Sequence, residues 1–198
     1  MTKNIEVEIR ALLDDISSFK KTIENLGAEL TSSLYLCDVY FCKEEHDKVE
    51  DVEMNEVGSY SLRLRKTKKD NQEEFTINTK TITNHGDHSA WQENEIKIDN
   101  FSEATDILKI IGFKPFFKLE KERFVYKIDG MKICVEDIID FKGAVEIEIM
   151  CSEDEVDQAK KKIKEFLNKC NVKEKDIAPK SITNIIMKER AFKKEIDL

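Results

Sequence analysis

What this sequence lacks narrows its chemistry early. No apolar run approaches the length of a membrane-spanning helix. No serine, cysteine or histidine constellation stands out as a nucleophile. The five cysteines, Cys37, Cys42, Cys134, Cys151 and Cys170, form no Cys-x-x-Cys pair. Their odd number, with no signal peptide ahead of them, is read as a set of reduced thiols in a cytoplasmic protein. Only three histidines occur, and His85 and His88 flank Gly86-Asp87 in what reads as a solvated turn rather than a metal site. Excess positive charge is also missing: the net charge is -8, which argues against a general nucleic-acid or anionic-membrane binder. No stretch reads as a linker, so the 198 residues are taken as one domain.

What the sequence does have is charge placed in strands. Hydrophobic residues make up 40% and charged residues 37%, with 11 phenylalanines to build a core. Ile5, Val7 and Ile9 alternate with Glu6, Glu8 and Arg10, so a strand here is aliphatic on one face and ionic on the other. The pattern returns where Val145, Ile147 and Ile149 interleave with Glu146 and Glu148, and where Leu62 and Leu64 interleave with Arg63 and Arg65. One such strand suits an ordinary solvated surface. Several suggest a sheet whose charged faces receive a charged guest.

Taken in order, the chain reads as a strand from Lys3 to Leu13, then a helix capped by Asp14 or Asp15. Its apolar positions are Ile16, Phe19, Ile23 and Leu26, and Gly27 ends it. Leu34 to Phe41 is a strand, residues 43–57 an acidic mobile loop, and Ser59 to Lys66 a strand. A further strand carries Phe75, Ile77 and Thr79 opposite Thr76, Asn78 and Lys80. Trp91 to Ile98 is the next, followed by a helix capped at Ser102 and ended by Gly112. Phe116 to Ile128 and Met131 to Ile138 form a hairpin through Asp129-Gly130, the strongest two-residue turn signal present. Gly143 to Met150 is the last strand. A longer helix starts at Ser152, and a short one runs from Ser181 to Arg190 beyond Pro179. Eight strands joined mostly by short turns predict an α+β fold with an antiparallel sheet. Such a sheet can close into an eight-stranded barrel around one small ligand. An open sheet fits the same periodicity. The helices are expected on the aliphatic side.

The opposite faces would gather Glu6, Glu8 and Arg10; Arg63 and Arg65; Lys80; Glu93 and Glu95; Lys121 and Arg123; Lys132 and Glu136; Glu146 and Glu148. Buried charges need partners. A polyphosphate with divalent cations satisfies both signs, since carboxylates hold hard cations through oxygen and Arg and Lys donate to phosphate oxygens.

These residues resemble the CYTH superfamily of triphosphate tunnel metalloenzymes. The likeness rests on Glu6-x-Glu8-x-Arg10, Arg63-x-Arg65, Lys121-x-Arg123, Glu146-x-Glu148 and the strand end Asp38-x-Tyr40-Phe41. It covers almost the whole chain and is nearest to the class IV adenylyl cyclases. It implies a single tunnel domain over residues 1–198: an eight-stranded antiparallel β-barrel with a charged interior, helices packed outside and a triphosphate site within. It also implies Mg²⁺ or Mn²⁺ as cofactor and a homodimer. The implied metal ligands are Glu6, Glu8, Glu136, Glu146 and Glu148. The implied phosphate-binding set is Arg10, Arg63, Arg65, Lys80, Lys121 and Arg123, and the implied catalytic group is Glu8, Glu146, Lys121 and Arg123. Glu93 and Glu95 are read as partners that position basic side chains. Four positions depart from the family pattern: Arg10 for lysine, Trp91 for arginine, Glu136 for aspartate and Ile182 for tyrosine. The expected reaction is attack of the ribose 3′-hydroxyl of ATP on the α-phosphorus, releasing pyrophosphate. The alternatives are hydrolysis of an inorganic or organic triphosphate, such as tripolyphosphate or thiamine triphosphate, and non-catalytic polyphosphate binding.

Overall fold

The computed structural model describes residues 5–54, 56–82, 91–179, 181–192 and 196, without the side chains of Ile5 and Trp91. The turn expected around His85 and His88, and residues 3 and 4 of the first expected strand, lie outside the described residues. Eight strands are present: β1 (Ile5–Leu13), β2 (Glu29–Lys43), β3 (Tyr60–Lys69), β4 (Gln72–Ile82), β5 (Trp91–Ile98), β6 (Phe113–Ile128), β7 (Met131–Ile138) and β8 (Gly143–Cys151). They join in one sheet in the order β1-β8-β7-β6-β2-β3-β4-β5, with antiparallel registers throughout the described pairs. Four helices complete an α+β fold: α1 (Ile16–Asn25), α2 (Phe101–Ile110), α3 (Val156–Lys169) and α4 (Ile182–Arg190). No helix among the described residues is long and apolar enough to cross a membrane.

Chain contacts divide the molecule into two compact units, Met1–Ser33 with Lys121–Ile182 and Leu34–Glu120 with Thr183–Leu198. In the first, the aliphatic faces of β1, β7 and β8 supply Val7, Ala11, Leu13, Ile133, Val135, Val145 and Ile147. They bury against Phe19 and Ile23 of α1 and Ala159, Ile163, Phe166 and Leu167 of α3. Each large aliphatic side chain so buried contributes about 1.5–3 kcal/mol. Tyr126 joins this core, and its hydroxyl donates to Glu24 Oε1 at 2.8 Å. In the second unit Val39, Phe41, Leu62 and Leu64 pack with Leu108, Phe101 and Ala104 of α2. The helices of both cores therefore cover aliphatic strand faces, as the alternation predicts, and leave the charged faces on the other side.

Local signals set most boundaries. Asp15 caps α1, accepting from Ser18 N–H at 2.9 Å. Asp129 and Gly130 both take positive φ, 47° and 76°, the backbone that a tight two-residue hairpin needs. Three expectations shift. Asn100, not Ser102, caps α2, because its side chain accepts from both Ser102 N–H and Glu103 N–H. Ser152 begins a single 3-10 turn, Glu153–Glu155, and α3 starts only at Val156. Within the acidic segment after β2, Val49–Val52 form another such turn, held by Asp51 accepting from Asp47 and Lys48 N–H at 3.1 Å each.

Candidate active site

The registers decide which charges share a face. In the first unit Glu8 lies directly opposite Glu148 and Arg10 opposite Glu146. On the next strand Lys132 faces Glu148 and Cys134 faces Glu146, and one strand further Arg123 faces Glu136. The ionic side of β1-β8-β7-β6 is thus one continuous surface, and its side chains meet across strands. Arg10 pairs with Glu8 and donates from Nε to Glu146 Oε1 at 3.2 Å. Arg123 donates from Nε to Glu136 Oε1 at 2.7 Å and reaches Glu146 Oε2 at 3.4 Å. Lys121 Nζ is 2.6 Å from Glu136 Oε1, and Lys132 Nζ is 2.7 Å from Glu148 Oε2. Glu136 is only 1% exposed, so its two cationic partners are what makes its burial tolerable. Glu6 extends the same face to the exposed end of the strand, opposite Met150.

Electrostatics follow from this packing. Burial alone would raise the pKa of Glu146, but Arg123, Lys121 and Arg10 outweigh it and hold the carboxyl at about 2. Burial opposes the charge on Arg123 as well, and Glu136 and Glu146 more than restore it, so its pKa is raised. The same face holds a residue the alternation does not single out. Cys134 is buried between Lys132 and Glu136, and burial pushes its thiol up to about 11. All five cysteines are buried free thiols.

The second unit has its own ionic face. Asp38 lies opposite Arg65, Tyr40 opposite Arg63, and Arg63 opposite Asn78 on β4. Lys80 and Glu93 are cross-strand neighbours, with Nζ to Oε2 at 3.2 Å, and Asn78 donates to Glu93 Oε1. Glu95 accepts from the Thr76 hydroxyl at 3.5 Å. Arg65 grips Asp38 with two hydrogen bonds, Nε to Oδ1 at 2.6 Å and Nη2 to Oδ2 at 2.8 Å. Arg63 reaches the same carboxylate only at 3.5 Å. Among the described residues its Nε is buried with no hydrogen-bond partner. Tyr40 also lines a cavity of about 310 Å³ whose walls include Phe41, Met54, Tyr60, Ser61 and Phe116. Sequence reasoning left Asp38 and Asn78 without roles. The signal for Asp38 was a lone carboxylate inside the otherwise apolar run Leu36-Cys37-Asp38-Val39-Tyr40-Phe41.

The two faces carry paired acids and bases on the strands where the tunnel metalloenzyme resemblance puts them. A family model for the CYTH domain matches residues 4–182. The chain belongs to the CYTH family. Among proteins similar to this CYTH chain is one from Methanocaldococcus jannaschii named "Putative adenylate cyclase MJ0240", 26% identical over 178 residues, covering 89% of this chain and 95% of that protein. The PH1819 protein of Pyrococcus horikoshii OT3 has a similar solved structure, with a TM-score of 0.74 at 21% identity over 93% of this chain and 99% of that one. A Vibrio parahaemolyticus structure described as "a putative adenylate cyclase" gives a TM-score of 0.70 at 15% identity, covering 92% and 97%. At these identities the structural likenesses establish the fold.

Among the described residues no three acidic, histidine or cysteine side chains converge tightly enough to form a finished cation site. The donor set is nonetheless of the kind a hard divalent cation takes, carboxylate oxygen alone. Glu8 and Glu148 moreover face each other in register. Like charges placed so are destabilising, and here Arg10 and Lys132 offset them. In donor type alone, these carboxylates fit a hard cation such as Mg²⁺ or Mn²⁺.

Proposed function

We propose that this CYTH protein is a metal-dependent triphosphate-processing enzyme of the class IV adenylyl cyclase type, converting ATP to cyclic AMP and pyrophosphate. The observation that carries the anion half of this reading is Arg63. A guanidinium that is 8% exposed and holds a buried Nε–H without an acceptor is costly as it stands, and a phosphate oxygen is the partner that suits it best. Arg63, with Lys80 at the margin, is the candidate phosphate donor of the second unit's face, and Lys121 and Arg123, with Arg10 at the margin, are those of the first unit's face. Glu6, Glu8, Glu146 and Glu148 would hold the divalent cation, and Glu136, enclosed by Lys121 and Arg123, would align those two. When bound, the cation would neutralise charge on the phosphates and polarise them. The protein's own contribution is positioning and charge stabilisation, which is most of what phosphoryl chemistry requires.

The cavity beside Tyr40 favours a triphosphate with an organic group over an inorganic one. Its aromatic and thioether side chains would receive a ring system, its acidic wall of Asp51, Glu53 and Glu56 would keep the phosphates outside it, and Tyr40 belongs both to that cavity and to the ionic face. The purified protein with Mg²⁺ or Mn²⁺, offered ATP and tripolyphosphate separately, tests the proposal. Cyclic AMP with pyrophosphate is the expected product. Orthophosphate instead would make the protein a triphosphate hydrolase, and binding without turnover would make it a polyphosphate-binding module.

A further inference from the structure

Arg63 and Arg65 point from one strand to one face, yet their surroundings differ. Arg65 has its Nε and one terminal nitrogen committed to the two oxygens of Asp38, at 2.6 and 2.8 Å. That is the paired fork geometry which fixes a guanidinium in place. Asp38 is 1% exposed and sits within an apolar strand segment, so it is held as firmly as the arginine it grips. Arg63 touches the same carboxylate at the 3.5 Å limit, lies 6.0 Å from the centre of the Tyr40 ring, and keeps its Nε–H unanswered.

We propose that the two arginines divide the work. Arg65 is a strut locked by Asp38, Arg63 is the arginine that meets the phosphate, and Asp38 is the positioning residue that holds the strut and aims Arg63. The inference rests on the triphosphate reading above and assigns roles within it. A buried carboxylate must keep at least one guanidinium partner or strand its own charge, and the two short bonds to Arg65 hold far better than the 3.5 Å contact to Arg63. Arg65 therefore stays with Asp38 when an anion arrives. Arg63, which also hydrogen-bonds Tyr40, loosens a 3.5 Å contact with Asp38 and gains an acceptor for Nε. The Lys80–Glu93 pair on the same face is half-exposed, so it tolerates rearrangement that the Asp38–Arg65 pair does not.

The experiment is calorimetric titration of the full chain with tripolyphosphate at several salt concentrations, for the wild type and for Arg63→Gln, Arg63→Lys, Arg65→Gln, Arg65→Lys and Asp38→Asn. Arg63→Gln should weaken binding at least tenfold and reduce the salt dependence by roughly one ion, the signature of a lost phosphate contact. Arg63→Lys should recover part of that loss. Arg65→Gln and Asp38→Asn should weaken binding while leaving the salt dependence unchanged. Arg65→Lys should not recover the affinity, because an ammonium keeps the charge and loses the fork. Should Asp38→Asn fail to fold, the Arg65→Lys and Arg63→Lys pair carries the test alone. Arg65→Lys binding within twofold of wild type, or Arg65→Gln losing as much salt dependence as Arg63→Gln, overturns the division of labour and leaves the triphosphate reading standing. A wild type that does not bind tripolyphosphate at all brings down both.

Discussion

Glu8 and Glu148 face each other across two paired strands, and each leans on a basic neighbour, Arg10 and Lys132 respectively. That arrangement holds two like charges at close quarters, each offset by a base, and the proposed function makes them cation ligands. Replacing Glu8 or Glu146 by Gln is expected to abolish turnover, a loss of at least a hundredfold, while the far-ultraviolet circular dichroism spectrum stays that of the parent. Undiminished turnover in both variants would remove these residues from the cation site. At this scale the alternation of Glu, Arg and Lys with Ile, Val and Leu was legible in the sequence, since strand parity alone assigns a face. Which acid meets which base was not, because that depends on register between segments far apart in the chain. Arg10 and Glu146 are 136 positions apart, and nothing local to either names the other.

Elements show the same division between local and distant causes. Asp129-Gly130 dictates its hairpin from two residues, so it could be read directly. The cap of α2 could not, because Asn100 and Ser102 are both good caps and only the hydrogen bonds to Ser102 and Glu103 decide between them. Gly143, at the start of β8, is a tertiary constraint without a local signal. A Cβ there would lie 2.2 Å from Ile16 Cγ1 and 2.7 Å from Ile16 Cδ1, at the first residue of α1. Gly143→Ala should therefore push α1 off the strand and cost about 1–3 kcal/mol, as overpacking does, readable as a lower urea midpoint with an unchanged slope.

The β1–β8 pair also predicts a pH dependence. The Glu146 carboxyl is held at about 2 in the folded chain against an ordinary 4.5. The unfolded chain therefore takes up this proton first as pH falls. The stabilisation from the Glu146 ion pairs is complete above 4.5 and is lost progressively between 4.5 and about 2. Thermal midpoints of the parent and of Glu146→Gln should converge across that window. A gap that stays constant down to pH 2 would show that Glu146 is not clamped by Arg123, Lys121 and Arg10.

At the scale of the whole molecule, eight antiparallel strands and their covering helices followed from alternation and turn chemistry, and the CYTH resemblance of the charged motifs agrees with the family match over residues 4–182. The order β1-β8-β7-β6-β2-β3-β4-β5 was beyond such reasoning, since β2 neighbours β6 although Tyr35 and Glu120, which meet there, lie 85 positions apart. The two compact units each carry one aliphatic face and one ionic face, and the proposed function requires these ionic faces to bind a phosphate chain and a divalent cation. Titration of the full-length protein with tripolyphosphate, with Mn²⁺ present and then with the metal removed by chelation, tests that claim most directly. Saturable binding that weakens at least tenfold without the metal is the expected result. Equal affinity in both conditions, or no binding in either, would contradict it.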